Sequence, residues 1–97
     1  NIDTKINADF ALHIHGDSMI DAHIFDGDVV FIRKQDQLEN GEIGAVLIEE
    51  EATLKRFYQE EKAVVLQSEN RKYRPIVLTN GHVKILGKMV AVLHTCA

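Results

Sequence analysis

Apolar residues in this chain do not keep a helical period over a window of about 11 residues anywhere along its length. They come instead in short runs, each closed by a turn signal. Phe10, Leu12 and Ile14 share one face of an alternating run that stops at Gly16. Residues 28–33 follow, with apolar side chains pointing both ways, which predicts a strand buried on both sides. Glu39-Asn40-Gly41-Glu42 marks a turn, residues 43–48 a third strand, and Glu49-Glu50-Glu51 an acidic hairpin tip. Residues 52–59 return as a fourth strand. Glu60-Glu61-Lys62 turns into a fifth at residues 63–67. Residues 68–74 form a polar loop closed by Pro75, whose fixed φ and missing N–H suit a loop or edge. A short strand at residues 76–78 and a tight turn at Asn80-Gly81 lead to the last strand, residues 83–94, expected to be broken or bent at Gly87. The pattern predicts an all-β fold of the barrel or sandwich kind, with mostly antiparallel strands.

The last strand is apolar on both faces: Met89, Ala91 and Leu93 on one, Val90 and Val92 on the other. It is either central in the sheet or covered by a second copy of the chain.

Ninety-seven residues make one small domain. Residues 1–8 are polar and featureless and read as an arm or the end of a linker; residues 9–97 form the domain. One cysteine, Cys96, cannot close an internal disulfide, which suits a reducing compartment and a cytoplasmic location. No apolar run reaches the roughly 18 residues of a membrane span. The start, Asn1-Ile2-Asp3-Thr4-Lys5, lacks a signal-peptide pattern. The formal net charge is −4, with 15 acidic and 11 basic residues, which speaks against nucleic-acid binding by this segment. The adjacent basic pairs Arg33-Lys34, Lys55-Arg56 and Arg71-Lys72 lie far apart in sequence and read as solvated surface charge.

Candidate chemistry centres on Gly16-Asp17-Ser18-Met19. A serine is a weak nucleophile unless a base lies within hydrogen-bond reach. Gly16 permits a sharp turn, which could aim backbone N–H groups at a developing oxyanion. Ser18 is equally readable as a turn or capping serine. His13 and His15 could act as bases or as two metal ligands, but no third or fourth ligand follows at a suitable spacing, so no metal is expected. Asp17 and Asp21 lie close in sequence and also read as turn residues. Lys55 shares a strand face with Thr53 and Phe57, where partial desolvation would lower its pKa. Without such a shift, only about one lysine in 2,500 is neutral at pH 7. A cross-strand surface lysine remains the alternative.

Ordered sequence blocks add to this. Gly16-Asp17-Ser18-Met19-Ile20-Asp21, Asp26-Gly27-Asp28, Gly41-Glu42-Ile43, Thr53-Leu54-Lys55-Arg56, Asn70 with Tyr73, Pro75-Ile76, and Ile85 with Gly87 occur in one series. Together, over roughly residues 10–94, they resemble the self-cleaving C-terminal domain shared by LexA, phage repressors and the UmuD mutagenesis protein. Asp17 departs from LexA, which has methionine there, and agrees with UmuD and many phage repressors.

The resemblance implies a LexA-like, signal-peptidase-like β fold and a Ser-Lys dyad. Ser18 matches the nucleophile and Lys55 the general base, and the backbone N–H groups of Asp17 and Ser18 match the oxyanion hole. It implies a serine endopeptidase that needs no cofactor and cuts one Ala-Gly or Cys-Gly bond in its own chain. A RecA filament on single-stranded DNA acts as coactivator in the SOS response. It further implies a homodimer that reaches DNA through an N-terminal helix-turn-helix domain. That domain and either dipeptide are absent from the 97 residues, so the chain is expected to be a cleavage product or a cut piece. The other reading is an UmuD-like accessory or a pure dimerisation module. A signal peptidase is disfavoured by the lack of a membrane segment.

Overall fold

In the computed structural model, residues 6–79 and 83–95 are described. The strands are β1 (Phe10–His13), β2 (Val29–Lys34), β3 (Ile43–Ile48), β4 (Glu51–Gln59), β5 (Val64–Gln67), β6 (Ile76–Leu78) and β7 (Lys84–Leu93). They form one sheet in the order β1-β2-β7-β3-β4-β5-β6, with every pair antiparallel. The sheet curls into a half-barrel, as the all-β expectation required. A single 3₁₀ turn, Ile20–Ala22, interrupts the β1–β2 connection. Among the described residues, no helix is long and apolar enough to cross a membrane.

Period-two alternation decides which side chains are buried, and the two faces of the sheet feed different cores. Ala45 of β3 is paired with Leu54 of β4, and both pack with Met19, Ile24, Val30 and Ile32. Val46, the next residue of β3, belongs instead to a second cluster with Leu38, Phe57, Val64 and Leu66. Consecutive buried residues in different clusters show that β3 is covered on both sides, and β4 likewise places Leu54 in the first cluster and Phe57 in the second. β2 does not meet that expectation: Val30 and Ile32 are buried, but Val29 and Phe31 are only half-buried. Its partner β1 is an edge strand, so nothing further along the sheet shields that second face.

β7 is unbroken at Gly87 and lies between β2 and β3, which accounts for its two apolar faces. It bends through two irregularities. Ala45 faces Gly87 while Val46 faces Ile85, leaving Leu86 as the extra residue; likewise Phe31 faces Ala91 and Ile32 faces Met89, leaving Val90. Such bulges increase local twist, and here they help the sheet curl. The first strand ends at His13 rather than His15: Ile14 N–H still donates to its register partner Asp28, but the Ile14 carbonyl accepts Gly27 N–H instead, and Asp28 N–H turns to the Phe25 carbonyl. The expected Asn80-Gly81 turn, Cys96 and most of the amino-terminal arm lie outside the described residues.

Candidate active site

The turn that carries Ser18 is held from three sides. Gly16 sits at φ 89, a left-handed conformation that glycine adopts without a Cβ penalty, and its N–H donates to Asp26 Oδ1 at 2.7 Å. Met19 and Ile24, each 1% exposed, anchor the loop in the first core. The Met19 carbonyl accepts N–H groups from Ala22 and Ile24, which closes the 3₁₀ turn around it.

The third support is the loop between β5 and β6. Asn70 Nδ2 donates to the Asp17 carbonyl at 2.8 Å, Tyr73 Oη donates to Asp17 Oδ1 at 2.5 Å, and Lys72 Nζ pairs with Asp17 Oδ2 at 2.6 Å. Asp21 N–H donates to the Glu69 carbonyl at 2.7 Å. Glu69 is paired in turn with Arg56 of β4 at 3.0 Å, and Arg56 also donates to the Gly41 carbonyl. Lys72 first, and Tyr73 second, hold the Asp17 carboxyl below its ordinary pKa; the same contacts raise the pKa values of Lys72 and of the Tyr73 phenol. Asp17 therefore stays ionised and is committed to this clamp, leaving it poorly suited to proton transfer.

A cavity of about 120 Å³ opens beside the serine. Residues 12–15, Ser18 and Met19 line one side, and Glu51, Ala52, Thr53 and Leu54 of β4 line the other. The β4 side is also a strand edge: β4 pairs with β5 only through Arg56–Gln59, so its first five residues meet no strand there among the described residues. His13 and His15 are exposed at the mouth of this cavity. No group of three or more His, Cys, Asp or Glu side chains gathers among the described residues.

Lys55 is 8% exposed. Its Nζ donates to Thr53 Oγ1 at 3.3 Å and to the Leu54 carbonyl at 3.2 Å, and no carboxylate pairs with it among the described residues. Burial without a counter-charge lowers its pKa from the ordinary lysine value. Thr53 thus links the two candidates: it holds Lys55 Nζ and lines the cavity beside Ser18. A direct hydrogen bond between Ser18 and Lys55 does not form among the described residues. Thr53 was legible only as a residue sharing the Lys55 face, and its role as a holder came from the structure.

A buried, unpaired lysine is a stability liability near neutral pH. Its folded pKa lies below its unfolded one, so the folded state binds fewer protons between the two values and stability rises with pH there. Lys55→Met is expected to stabilise the fold by about 1 kcal/mol near pH 7, or ~4–8 °C in melting temperature. That gain should shrink as pH climbs towards about 10.4, where the wild-type lysine is neutral in both states. Thermal melts of both proteins at neutral and alkaline pH check the sign and its decay.

Asp28 is a residue whose importance the sequence did not reveal. It is 2% exposed, and its Oδ2 accepts Phe25 N–H at 2.8 Å and contacts His94 Nδ1 at 2.7 Å, while Oδ1 accepts Thr95 N–H at 3.3 Å. It ties the end of β7 to the Ser18 loop and keeps its charge, with the Phe25 N–H as the main cause of its lowered pKa.

Residues 2–90 match the Peptidase S24-like family. The chain belongs to this family. It is 51% identical over 84 residues to a LexA repressor of Magnetococcus marinus, covering 86% of this chain and 36% of that protein. Identity is 46% over 84 residues with a LexA repressor of Caldicellulosiruptor saccharolyticus (87% and 41%) and 48% over 83 residues with one of Clostridium novyi (86% and 41%). The chain spans about two fifths of the length of these curated relatives. The family is described as peptidase-like, and the chain is LexA-like within it.

Proposed function

We propose that this S24-like domain is the self-cleaving and dimerising part of a transcriptional repressor, acting through Ser18 and Lys55. The observation that carries the proposal is the state of Lys55: buried, without a counter-charge, shifted towards neutrality, and held by a threonine on the wall of the Ser18 cavity.

Neutral Lys55 Nζ takes the Ser18 hydroxyl proton as Oγ bonds to the scissile carbonyl carbon. The carbonyl oxygen becomes an oxyanion, received by the backbone N–H groups of Asp17 and Ser18. Collapse breaks the C–N bond, the lysine returns its proton to the leaving amine, and an ester on Ser18 remains. Water, deprotonated by the same lysine, releases it. Lys55 reaches Ser18 once the cavity is filled, since catalytic hydrogen bonds are often looser in the free site. The unpaired β4 edge beside Ser18 supports a substrate that enters as an extended strand, making main-chain hydrogen bonds.

The substrate is one bond of the protein's own chain, upstream of these residues. In the whole protein, an N-terminal helix-turn-helix domain binds the operator, this domain dimerises it, and cleavage separates the two. A RecA filament on single-stranded DNA raises the population of the cleavable arrangement without supplying catalytic groups, which links cleavage to the SOS response. The setting is cytoplasmic, and no cofactor takes part.

The pH profile tests the base. Self-cleavage of a chain that includes the upstream segment should accelerate about tenfold per pH unit from about pH 7 towards the depressed Lys55 pKa, then level off below the ordinary lysine value of about 10.4. A rate that is flat over that range contradicts lysine as the base.

A further inference from the structure

The β5–β6 loop touches the serine turn at a position where a side-chain hydrogen bond bears on an atom of the proposed chemistry. Asn70 Nδ2 donates to the Asp17 carbonyl at 2.8 Å. That carbonyl and the Ser18 N–H are the two ends of one peptide group. There are no cis peptide bonds among the described residues, so the C=O and the N–H lie in one plane and point in opposite directions. Fixing the oxygen fixes the direction of the N–H. A hydrogen bond accepted by the oxygen also polarises the group and strengthens the N–H as a donor.

Asn70 itself is held for this task. Its Oδ1 accepts Lys72 N–H at 3.1 Å, so the opposite side of the amide, Nδ2, is the one facing Asp17. The Asn70 carbonyl accepts Tyr73 N–H at 3.0 Å, which closes the loop into a turn. The competing donor to the Asp17 carbonyl, Ile20 N–H, is far longer at 3.5 Å. The remaining contacts of the loop go elsewhere: Tyr73 and Lys72 hold the Asp17 carboxylate, and Glu69 holds Asp21 N–H. Among the described residues, Asn70 alone contributes a side-chain donor to the peptide group.

We propose that Asn70 is a positioning residue, whose amide aims and polarises the Ser18 N–H that receives the oxyanion. The proposal rests on Ser18 being the nucleophile and its N–H an oxyanion donor, and it adds the element that orients that donor.

The test uses the 97-residue chain and diisopropyl fluorophosphate, with modification of Ser18 followed by mass spectrometry. Ser18 Oγ bonds to phosphorus, fluoride leaves, and the hydroxyl proton passes to the base. The phosphoryl oxygen takes the place of the oxyanion. Asn70→Asp keeps the size and the acceptor facing Lys72 N–H but replaces the donor facing Asp17 with an oxygen. It is expected to slow labelling by about tenfold or more, a fraction of the 10²- to 10³-fold lost when an oxyanion donor is removed outright. The pH midpoint of labelling is read in Asn70→Ser, which adds no charge, and should stay where it is in the wild type; Asn70→Asp adds a negative charge to the site, so its midpoint is not used. The amide ¹⁵N resonance of Ser18 should move in the unlabelled protein.

A variant that labels at the wild-type rate with an unmoved Ser18 resonance overturns the proposal, whatever its melting temperature. So does a slower rate in Asn70→Ser that comes entirely with a displaced pH midpoint, which would put Asn70 on the base. If Asn70→Asp does not fold, Asn70→Ser, whose hydroxyl is too short to reach the carbonyl, is read by the same quantities. A wild-type chain that is not labelled at Ser18 removes the nucleophile assignment and takes the proposal with it. That result is distinct from a normal wild type with an unaffected variant.

Discussion

Self-cleavage should disappear in both Ser18→Ala and Lys55→Ala, with rate losses of at least about 10⁴-fold in each. The measurement is accumulation of the two fragments over hours at alkaline pH, in a chain that includes the upstream segment. Fold loss and chemistry loss separate cleanly here. Ser18→Ala removes one hydroxyl from a turn already fixed by Gly16, Met19 and the Asn70–Asp17 contact. Lys55→Ala removes a buried cation with no counter-charge, so part of the lost packing is offset by relief of desolvation. Both proteins should keep cooperative melting. The double variant should be no slower than either single one, because a nucleophile and its base act as a unit. Cleavage that survives in one variant takes that residue out of the mechanism.

The largest structural effect is expected at Gly87. A Cβ built there would lie 2.3 Å from the Arg33 carbonyl oxygen and 2.6 Å from Ile32 Cγ2. The oxygen belongs to the backbone of β2 and cannot rotate away, so β7 would have to separate from β2. β7 is also bound to β3, with Gly87 opposite Ala45, one residue from the bulged Leu86. Gly87→Ala is therefore expected to destabilise by about 3 kcal/mol or more, at the upper end for overpacking. At ~4 °C or more per kcal/mol in a domain of this size, the melting temperature should drop by at least ~12 °C. A loss below about 1 kcal/mol would mean that the β2–β7 spacing is soft, and the curled sheet with it.

Strand positions were readable because period-two alternation and turn residues act locally. Residues 43–48 and 76–78 coincide with β3 and β6, and the other strands differ by one or two residues at an end. What local pattern did not supply was burial by neighbour. Residues 28–33 and 43–48 look alike in composition, yet only β3 is covered on both faces, because it sits inside the sheet between β7 and β4 while β2 has the edge strand β1 beside it. At Gly87 the sequence signalled a break or a bend, and the structure has the bend, at the bulged Leu86 beside it. The strand continues there because the glycine allows two backbones to approach closely, not because the chain stops pairing.

The site divides in the same way. The Gly16-Asp17-Ser18-Met19 turn could be picked out from the sequence, since a glycine before a serine at the end of an apolar run is a local signal. The shared face of Thr53 and Lys55 was equally local. The depressed pKa of Lys55 was not, because desolvation depends on what the fold stacks over a side chain. Nor was the Asn70 contact, which spans 53 residues and exists only because the β5–β6 loop folds back onto the serine turn. Asp28 appears in the sequence only as the head of a strand and the end of the Asp26-Gly27-Asp28 block, yet it is buried and contacts His94, 66 residues away.

By itself, then, the sequence determined the all-β character, the positions of the strands, the serine turn and the order of the motif blocks, all of which depend on neighbours within a few residues. Only the tertiary structure decided which strands are covered twice, how deeply Lys55 is desolvated, and which distant residues brace the Ser18 turn. Burial and long-range hydrogen bonds are properties of the curled sheet, set by strand order and not by any one stretch of chain.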